Sequence, residues 1–485
     1  MPYNAKPGTP ERPLRVAVIG SGPSGFYAAE ALLGKNTGVE VTCDIIDRLP
    51  TPYGLIRGGV APDHQNIKRI TAVYEKVAKH PKFRFLGNLT LGKDLSVADL
   101  RQCYDAIVYA TGTEKSRRLG IPGEDLPGCY GSTDLVGWYN GHPDHAKRTF
   151  NLDVDAAVVV GNGNVSIDTT RVLAKGGELL AATDMPSYAV DALQQATRLK
   201  RIYMVGRRGP AEVAFTPKEV KELGNLPTAD MIVDPKDVDL SEASAAYLKG
   251  TENKQLQEIV DFITEKSKLQ PSGKPKQVVM KFLRSPVEIV AGENGRVNGV
   301  RCEINKLVPD ENGRPMARGT GEFETLEAGL VIKAIGHVGS RLPGVPYDDR
   351  RGIIPNVNGR LLKDVRGTEL SPGEYEMEFV PGEYVVGWAK RGPSGLIGVN
   401  KMDSIETVKM LFEDFAGESG PPRTAAQPEL DAIVNLLQER GIKHVSFGGW
   451  KRIDQLEVAS GKEKKKIREK LYQIPELLDA AGKDD

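Results

Sequence analysis

Two glycine loops with different companions carry the chemistry of this chain. The first, GSGPSG at residues 20–25, follows the apolar run LRVAVI and opens a helix. Gly20 permits a tight turn, Gly22 lets a backbone approach a pyrophosphate, and Gly25 lets helix and strand pack closely. The helix N-terminus then offers unpaired N–H groups and a positive dipole end to phosphates. Asp47, at the end of the next apolar run, can accept from ribose hydroxyls, which requires a nucleotide without a 2′-phosphate. FAD and NAD meet that requirement equally. The second loop is GNGNVS, where Gly161 and Gly163 are kept and Ser166 stands in the third glycine's place. No acidic residue follows its next strand; VGRRGP puts Arg207 and Arg208 there. Two guanidiniums can grip a 2′-phosphate through bidentate, charge-assisted hydrogen bonds, which points to NADP(H). One nucleotide then reads as a resident flavin and the other as a visiting hydride donor. The protein's share of such chemistry is orientation and electrostatics.

Loops of this kind must be held by parallel strands. Residues 14–19, 39–46 and 106–109 are short apolar runs that read as buried strands, and residues 24–33 read as the helix between the first two. The pattern restarts with strands at 156–160 and 201–205 around a helix at 164–174. Strand, helix, strand repeated twice predicts an α/β protein with two doubly wound, Rossmann-like dinucleotide-binding domains. In IKRITAVYEKVAK, Ile67, Ile70, Tyr74 and Val77 have helical spacing. Thr216, Pro217 and Glu219 read as a capping box, and residues 241–268 as polar helix. Residues 277–335 alternate like antiparallel strands, 383–388 return to a buried strand, and 402–415 form a helix with Val408, Leu411, Phe412 and Phe415 on one face. Gly420-Pro421-Pro422 breaks the chain before a tail. The tail's basic run, GKEKKKIREK, reads as a solvated helix face.

The totals narrow the class. A chain of 485 residues is too long for one ordinary core. With 65 basic and 65 acidic residues the formal net charge is zero, so any charged docking patch is local. Cys43, Cys103, Cys129 and Cys302 make no C-x-x-C pair and have no metal-ligand spacing. That argues against zinc, an iron–sulfur cluster bound by this chain, and a dithiol redox pair; structural thiols in a reducing compartment are expected. No apolar run reaches the roughly 18 residues of a membrane span. The first 13 residues resemble neither a secretory signal nor an organelle presequence. A cytoplasmic location is expected, or the mitochondrial matrix if a presequence has been removed.

The runs GSGPSGFYAAE, TPYGLIRGGVAPDH, GNGNVSID, VGRRGPAEVAFT, IPNVNGR and GWAKRGPSGLIG resemble the adrenodoxin reductase family of ferredoxin–NADP reductases, bacterial and mitochondrial. The tail HVSFGGWKRIDQLEVASGK resembles the C-terminus of longer members. The resemblance implies an FAD domain interrupted by an NADP domain: residues 1–113 and 339–420 for FAD, 114–338 for NADP, and a C-terminal extension at 421–485. It implies transfer of electrons from NADPH through FAD to a small iron–sulfur protein of ferredoxin or adrenodoxin type, by a monomer. Alternatives are an NADPH-oxidising subunit of a larger enzyme or a diaphorase with another acceptor.

On matching positions the resemblance assigns Gly20, Gly22, Pro23, Ser24, Gly25, Asp47, Leu55, Trp388, Gly395, Leu396 and Ile397 to FAD. Gly161, Asn162, Gly163, Asn164, Val165, Arg207 and Arg208 go to NADP(H). His64, Asp168 and Glu222 fall where the family places polar groups near the flavin–nicotinamide junction, expected to orient water or nicotinamide rather than to act as acid or base. Three positions depart from the family. Asp47 replaces a usual Glu, and His337 replaces a common Tyr. The docking helix region YLKGTENKQLQEIV offers only Lys249 and Lys254 to an acidic partner, so either a less acidic partner or docking elsewhere is expected, for instance at Arg198, Lys200 and Arg201.

Overall fold

The run LRVAVI is buried at every residue and forms the strand Leu14–Ile19. Apolar side chains on both faces need cover on both faces, as in the middle of a parallel sheet. In this computed structural model, described for residues 6–34, 38–364, 378–395, 397–417, 422–427 and 429–482, that strand pairs in parallel with Val41–Ile46 and Ala106–Tyr109. Phe83–Leu86 extends one side. On the other side Phe379–Val385, from late in the chain, adds in parallel to Ala106–Tyr109. The short antiparallel strands Arg360–Leu362 and Asn356–Val357 finish a seven-stranded sheet.

The chain between forms a second sheet of six strands, all parallel, with Ala156–Val160 between Leu330–Lys333 and Arg201–Val205. Lys276–Lys281 and Ala229–Val233 lie beyond Arg201–Val205, and Cys129–Gly131 closes the other edge. Between the sheets the chain runs out through Lys115–Ser116 and back through His337–Val338, and these two crossings pair antiparallel with each other.

Several local expectations are corrected. Residues 277–335 are not one antiparallel unit: Lys276–Lys281 and Leu330–Lys333 join the parallel sheet, and only Arg284–Ala291, Val297–Pro309 and Pro315–Glu327 form an antiparallel one. Alternating polarity there reports one solvated face, which Lys276–Lys281, one strand in from the sheet's edge, shares with the appended sheet. Thr216 precedes the helix Pro217–Gly224 without a side-chain cap bond; its N–H is taken by Asn164 Oδ1 at 3.1 Å. The polar stretch at 241–268 is two helices, Glu242–Thr251 and Lys254–Ser267, separated by Glu252 in the left-handed region at φ 48° and recapped by Asn253. Ile67 and Ile70 do not share one continuous helix with Tyr74 and Val77: Gln65–Lys68 and Thr71–Ala78 are separate.

The tail folds onto the first sheet. Ile433 and Leu437 of the helix Ala432–Glu439 join one face of its core. Trp450 and Ile453 of Phe447–Glu463 and Leu477 of Ile474–Ala481 join the other. The basic run is not a solvated helix face. The helix stops at Glu463, and Lys466 and Lys470 are buried. A charge run read only by composition hides which side chains carry partners. Among the described residues no helix is long and apolar enough to cross a membrane, and the four cysteines are free thiols, three buried and Cys129 half-buried.

Candidate functional site

Both glycine loops sit at the carboxyl ends of their strands, where open α/β sheets bind ligands. Gly20 has φ +110°, and a Cβ there would stand 2.5 Å from the Ala110 carbonyl oxygen. Gly161 has φ +137°, and its Cβ would stand 2.2 Å from the Ala334 oxygen. Each turn therefore passes directly over a neighbouring strand. Gly25 packs its helix on the loop behind it, since a Cβ would meet the Gly20 oxygen at 2.0 Å. Ser166, in the corresponding place, is small enough to lie fully buried near Ala334 O. By contrast, nothing lies within 4 Å of a Cβ built on Gly22 or Gly163. These residues cap the helices Pro23–Leu32 and Asn164–Leu180 without a side-chain cap bond. Their helix N–H groups face open space, as a pyrophosphate needs.

The two loops line one cleft of about 1450 Å³. That exceeds the ~300–1,000 Å³ of a single small-ligand pocket and suits two dinucleotides. Gly20, Gly22, Pro23, Ser24, Asp47, Leu55, Trp388 and Gly395 line its first end. Asp47 accepts from the Ser21 N–H at 2.8 Å and from the Leu49 N–H at 2.9 Å, which fixes its carboxylate beside the loop. Trp388 opens the short helix Trp388–Arg391, steadied by Asp403, which accepts from the Gly387 N–H at 2.6 Å and pairs with Lys390 at 2.8 Å. Its indole Nε1 is buried without a hydrogen-bond partner among the described residues. His337 lies across from it, ring centres 6.2 Å apart, and burial pushes its imidazole pKa below the usual range. Ile397 begins the helix Ile397–Ala416, and Leu396 lies outside the described residues.

Gly161, Asn162, Gly163, Asn164, Val165, Arg207 and Arg208 line the second end. Arg207 and Arg208 are exposed. Asn162 Oδ1 is buried without a hydrogen-bond partner among the described residues. Unpaired donors and acceptors in one polar recess suit a phosphorylated ribose. The donor set thus fits a dinucleotide without a 2′-phosphate at one end and one with it at the other.

His64 and Asp168 line the same cleft, and Glu222 reaches His64 from beside it. His64 Nε2 lies 2.8 Å from Glu222 Oε2, and its Nδ1 lies 3.8 Å from Asp168 Oδ1. One residue missed in the sequence, Arg171, holds Asp168. Arg171, 1% exposed, donates from Nη1 to Asp168 at 2.7 Å and forks onto Asp63 at 2.8 and 3.0 Å. Lys175 adds a 2.8 Å bond to Asp63. Burial raises the Asp168 pKa, and Arg171 and His64 oppose that rise. Arg171 and Lys175 hold Asp63 below the usual carboxylate range against its burial. The i,i+3 spacing of Asp168 and Arg171 on a helix was the available signal.

The alternative docking residues stand elsewhere. Arg201 begins the strand whose far end leads to Arg207, so Arg198, Lys200 and Arg201 lie across the sheet from the cleft. Five residues of strand span roughly 17 Å. Arg198 is also engaged by Asp155 at 2.7 Å.

Comparison with known proteins places this architecture. Residues 14–220 match the pyridine nucleotide-disulphide oxidoreductase family. The chain is 40% identical over 467 residues to the NADPH-ferredoxin reductase FprA of Mycobacterium leprae, covering 96% of this chain and 97% of that one. It is 38% identical over 476 residues to the mitochondrial NADPH:adrenodoxin oxidoreductase of Arabidopsis thaliana, covering 97% and 96%. The solved structure of Mycobacterium tuberculosis FprA in complex with NADPH superimposes with a TM-score of 0.88 at 38% identity, covering 97% of this chain and all of that one. With the two loops, the shared cleft and full-length similarity together, the chain belongs to the family of NADPH:ferredoxin and NADPH:adrenodoxin reductases.

Proposed function

We infer that this protein is a flavoprotein oxidoreductase that takes electrons from NADPH through FAD and delivers them to a small iron–sulfur protein of ferredoxin type. The observation that carries the reading is one cleft with a glycine loop at each end, Asp47 beside one and the exposed Arg207–Arg208 pair beside the other. FAD, when bound, supplies the chemistry of accepting two electrons as a hydride and releasing them singly.

The chain's residues orient and exclude. The Gly22 and Gly163 turns would hold the two pyrophosphates on helix N-termini. Asp47 would accept from a ribose hydroxyl of FAD. Arg207 and Arg208 would select the 2′-phosphate. Trp388, Gly395 and the start of the helix at Ile397 would flank the flavin. His64, locked between Glu222 and Asp168, would orient a bound water or the nicotinamide amide; its partners hold the ring in one orientation. The paired crossings at residues 115–116 and 337–338 support the division into an FAD unit, an inserted NADP unit at 114–338, and an extension at 421–485. With only Lys249 and Lys254 on the helices near residues 247–260, a strongly acidic partner has little to grip there. The four free thiols support a reducing compartment, the cytoplasm or matrix.

The test is anaerobic rapid mixing of the purified protein with NADPH and separately with NADH, followed at the flavin absorbance. Fast bleaching by NADPH, with reduced ferredoxin appearing when that partner is added, is expected. Equal slow bleaching by both nucleotides would overturn the NADPH assignment.

A further inference from the structure

The segment between the last two helices crosses from one half of the molecule to the other. Phe447–Glu463 and Ile474–Ala481 pack on the core of the first sheet. The residues joining them bind the second unit. The Ile467 N–H donates to the Ala182 oxygen at 3.2 Å. Lys466 Nζ donates to the Met185 oxygen and pairs with Glu469 at 2.8 Å. Glu469 in turn accepts from the Ser187 N–H at 2.9 Å and its hydroxyl at 2.8 Å. Met185 and Ala189 belong to the core of the six-stranded sheet.

Lys470 ties both halves with one amine. Its Nζ donates to the Arg57 carbonyl at 3.0 Å, to the Asn140 carbonyl at 3.1 Å, and pairs with Asp184 at 3.1 Å. Arg57 lies in the helix Leu55–Gly58, which lines the cleft beside the first loop. Asn140 and Asp184 belong to the inserted unit. Asp184 also receives Lys68 at 2.7 Å, from the stretch that follows His64. The Lys470 side chain is 1% exposed. With Asn140 Oδ1 at 3.4 Å as a fourth acceptor, every donor of the ammonium is taken. Rotation of one half against the other removes at least one acceptor and strands a buried polar group, which is strongly disfavoured. The Arg57 side chain is held from the tail as well, by both oxygens of Glu457, one at 2.8 Å.

We propose that residues 464–472 are an interdomain clasp and that Lys470 is a positioning residue, fixing the NADP unit against the flavin unit in the arrangement that stacks nicotinamide on flavin. This rests on the reading of the cleft as the NADPH–FAD site. The clasp acts on geometry between halves, not on either nucleotide's own loop.

The test uses the full-length protein holding its FAD, with Lys470→Met and, as a milder variant, Glu469→Gln. Three readouts are taken: flavin content, the long-wavelength charge-transfer absorbance at saturating NADPH, and hydrogen exchange of residues 57–68 and 182–188 without nucleotide. Both variants should keep full flavin content and an NADPH dissociation constant within about threefold of wild type. They should lose most of the charge-transfer band, bleach at least tenfold more slowly, and exchange faster at both segments. If Glu469→Gln keeps the band, the rate and wild-type exchange, the clasp is overturned, whether or not Lys470→Met folds. A lowered melting temperature with band and rate intact also overturns it, leaving a tail that only stabilises. If wild type itself fails to bleach with NADPH, the reading of the cleft fails instead.

Discussion

Arg207 and Arg208 stand exposed at the mouth of the second loop, and neither guanidinium forms a salt bridge among the described residues. A charge-assisted hydrogen bond contributes about 1.5–3 kcal/mol, and each 1.4 kcal/mol is about tenfold in affinity. Arg207→Ala should therefore raise the KM for NADPH about 10- to 100-fold and leave that for NADH nearly unchanged in steady-state assays. A second residue-scale effect comes from His142, which lines the same cleft. Burial, with Arg48 nearby and Asp144 opposing, pushes its imidazole down to about 4. Its unfolded value is near 6.5. Between those values the unfolded chain binds the extra proton, so stability falls as pH drops from 6.5 to 4. His142→Gln should flatten the decline of melting temperature across that window; an unchanged slope would show that other groups govern it. The arginine pair was legible in the sequence because its spacing from the loop is short and fixed. The His64–Asp168–Glu222 meeting was placed only by resemblance, since residues from two sheets converge there and no local spacing encodes it.

At the scale of elements, the two loops respond separately. Gly161→Ala puts a methyl against the Ala334 oxygen at a φ that L-residues avoid. It should abolish NADPH binding in titrations while flavin content stays full. A cap offers a milder case. Ser96 and Asp99 form a reciprocal capping box on the helix Val97–Cys103, and Ser96→Ala should cost about 1 kcal/mol in chemical denaturation. Elements built from continuous apolar runs, such as Leu14–Ile19 and Ala156–Val160, were legible because burial on both faces leaves no alternation. Thr216 was misread because a distant partner, Asn164, takes its N–H. Lys276–Lys281 was misassigned because its burial alternates at a sheet position where a neighbouring strand, not periodicity, decides its direction.

For the whole molecule, buried ion pairs span the seam between the halves. Arg171 reaches from the inserted unit to Asp63 beside the flavin end. Removing one partner of a buried pair typically costs about 3–5 kcal/mol, because the other charge is left uncompensated. Arg171→Met should lower the denaturant midpoint by a corresponding amount; a shift near zero would mean water replaces the guanidinium. The tail was the least legible part. Its lysines looked like solvent-facing charge, and apart from Glu469 their carbonyl and carboxylate partners lie hundreds of residues away in sequence.

The paired crossings have a consequence for how such a chain can be rearranged. Ser116 stands opposite His337, and Lys115 opposite Val338, so the chain enters and leaves the inserted unit about 5 Å apart. A linker of about three residues closes that gap. The second unit is thus a cassette with adjacent ends. Every strand of the first sheet lies outside it, but an exchanged cassette must restore the buried partners of Asp63, Lys68 and Lys470 across the seam.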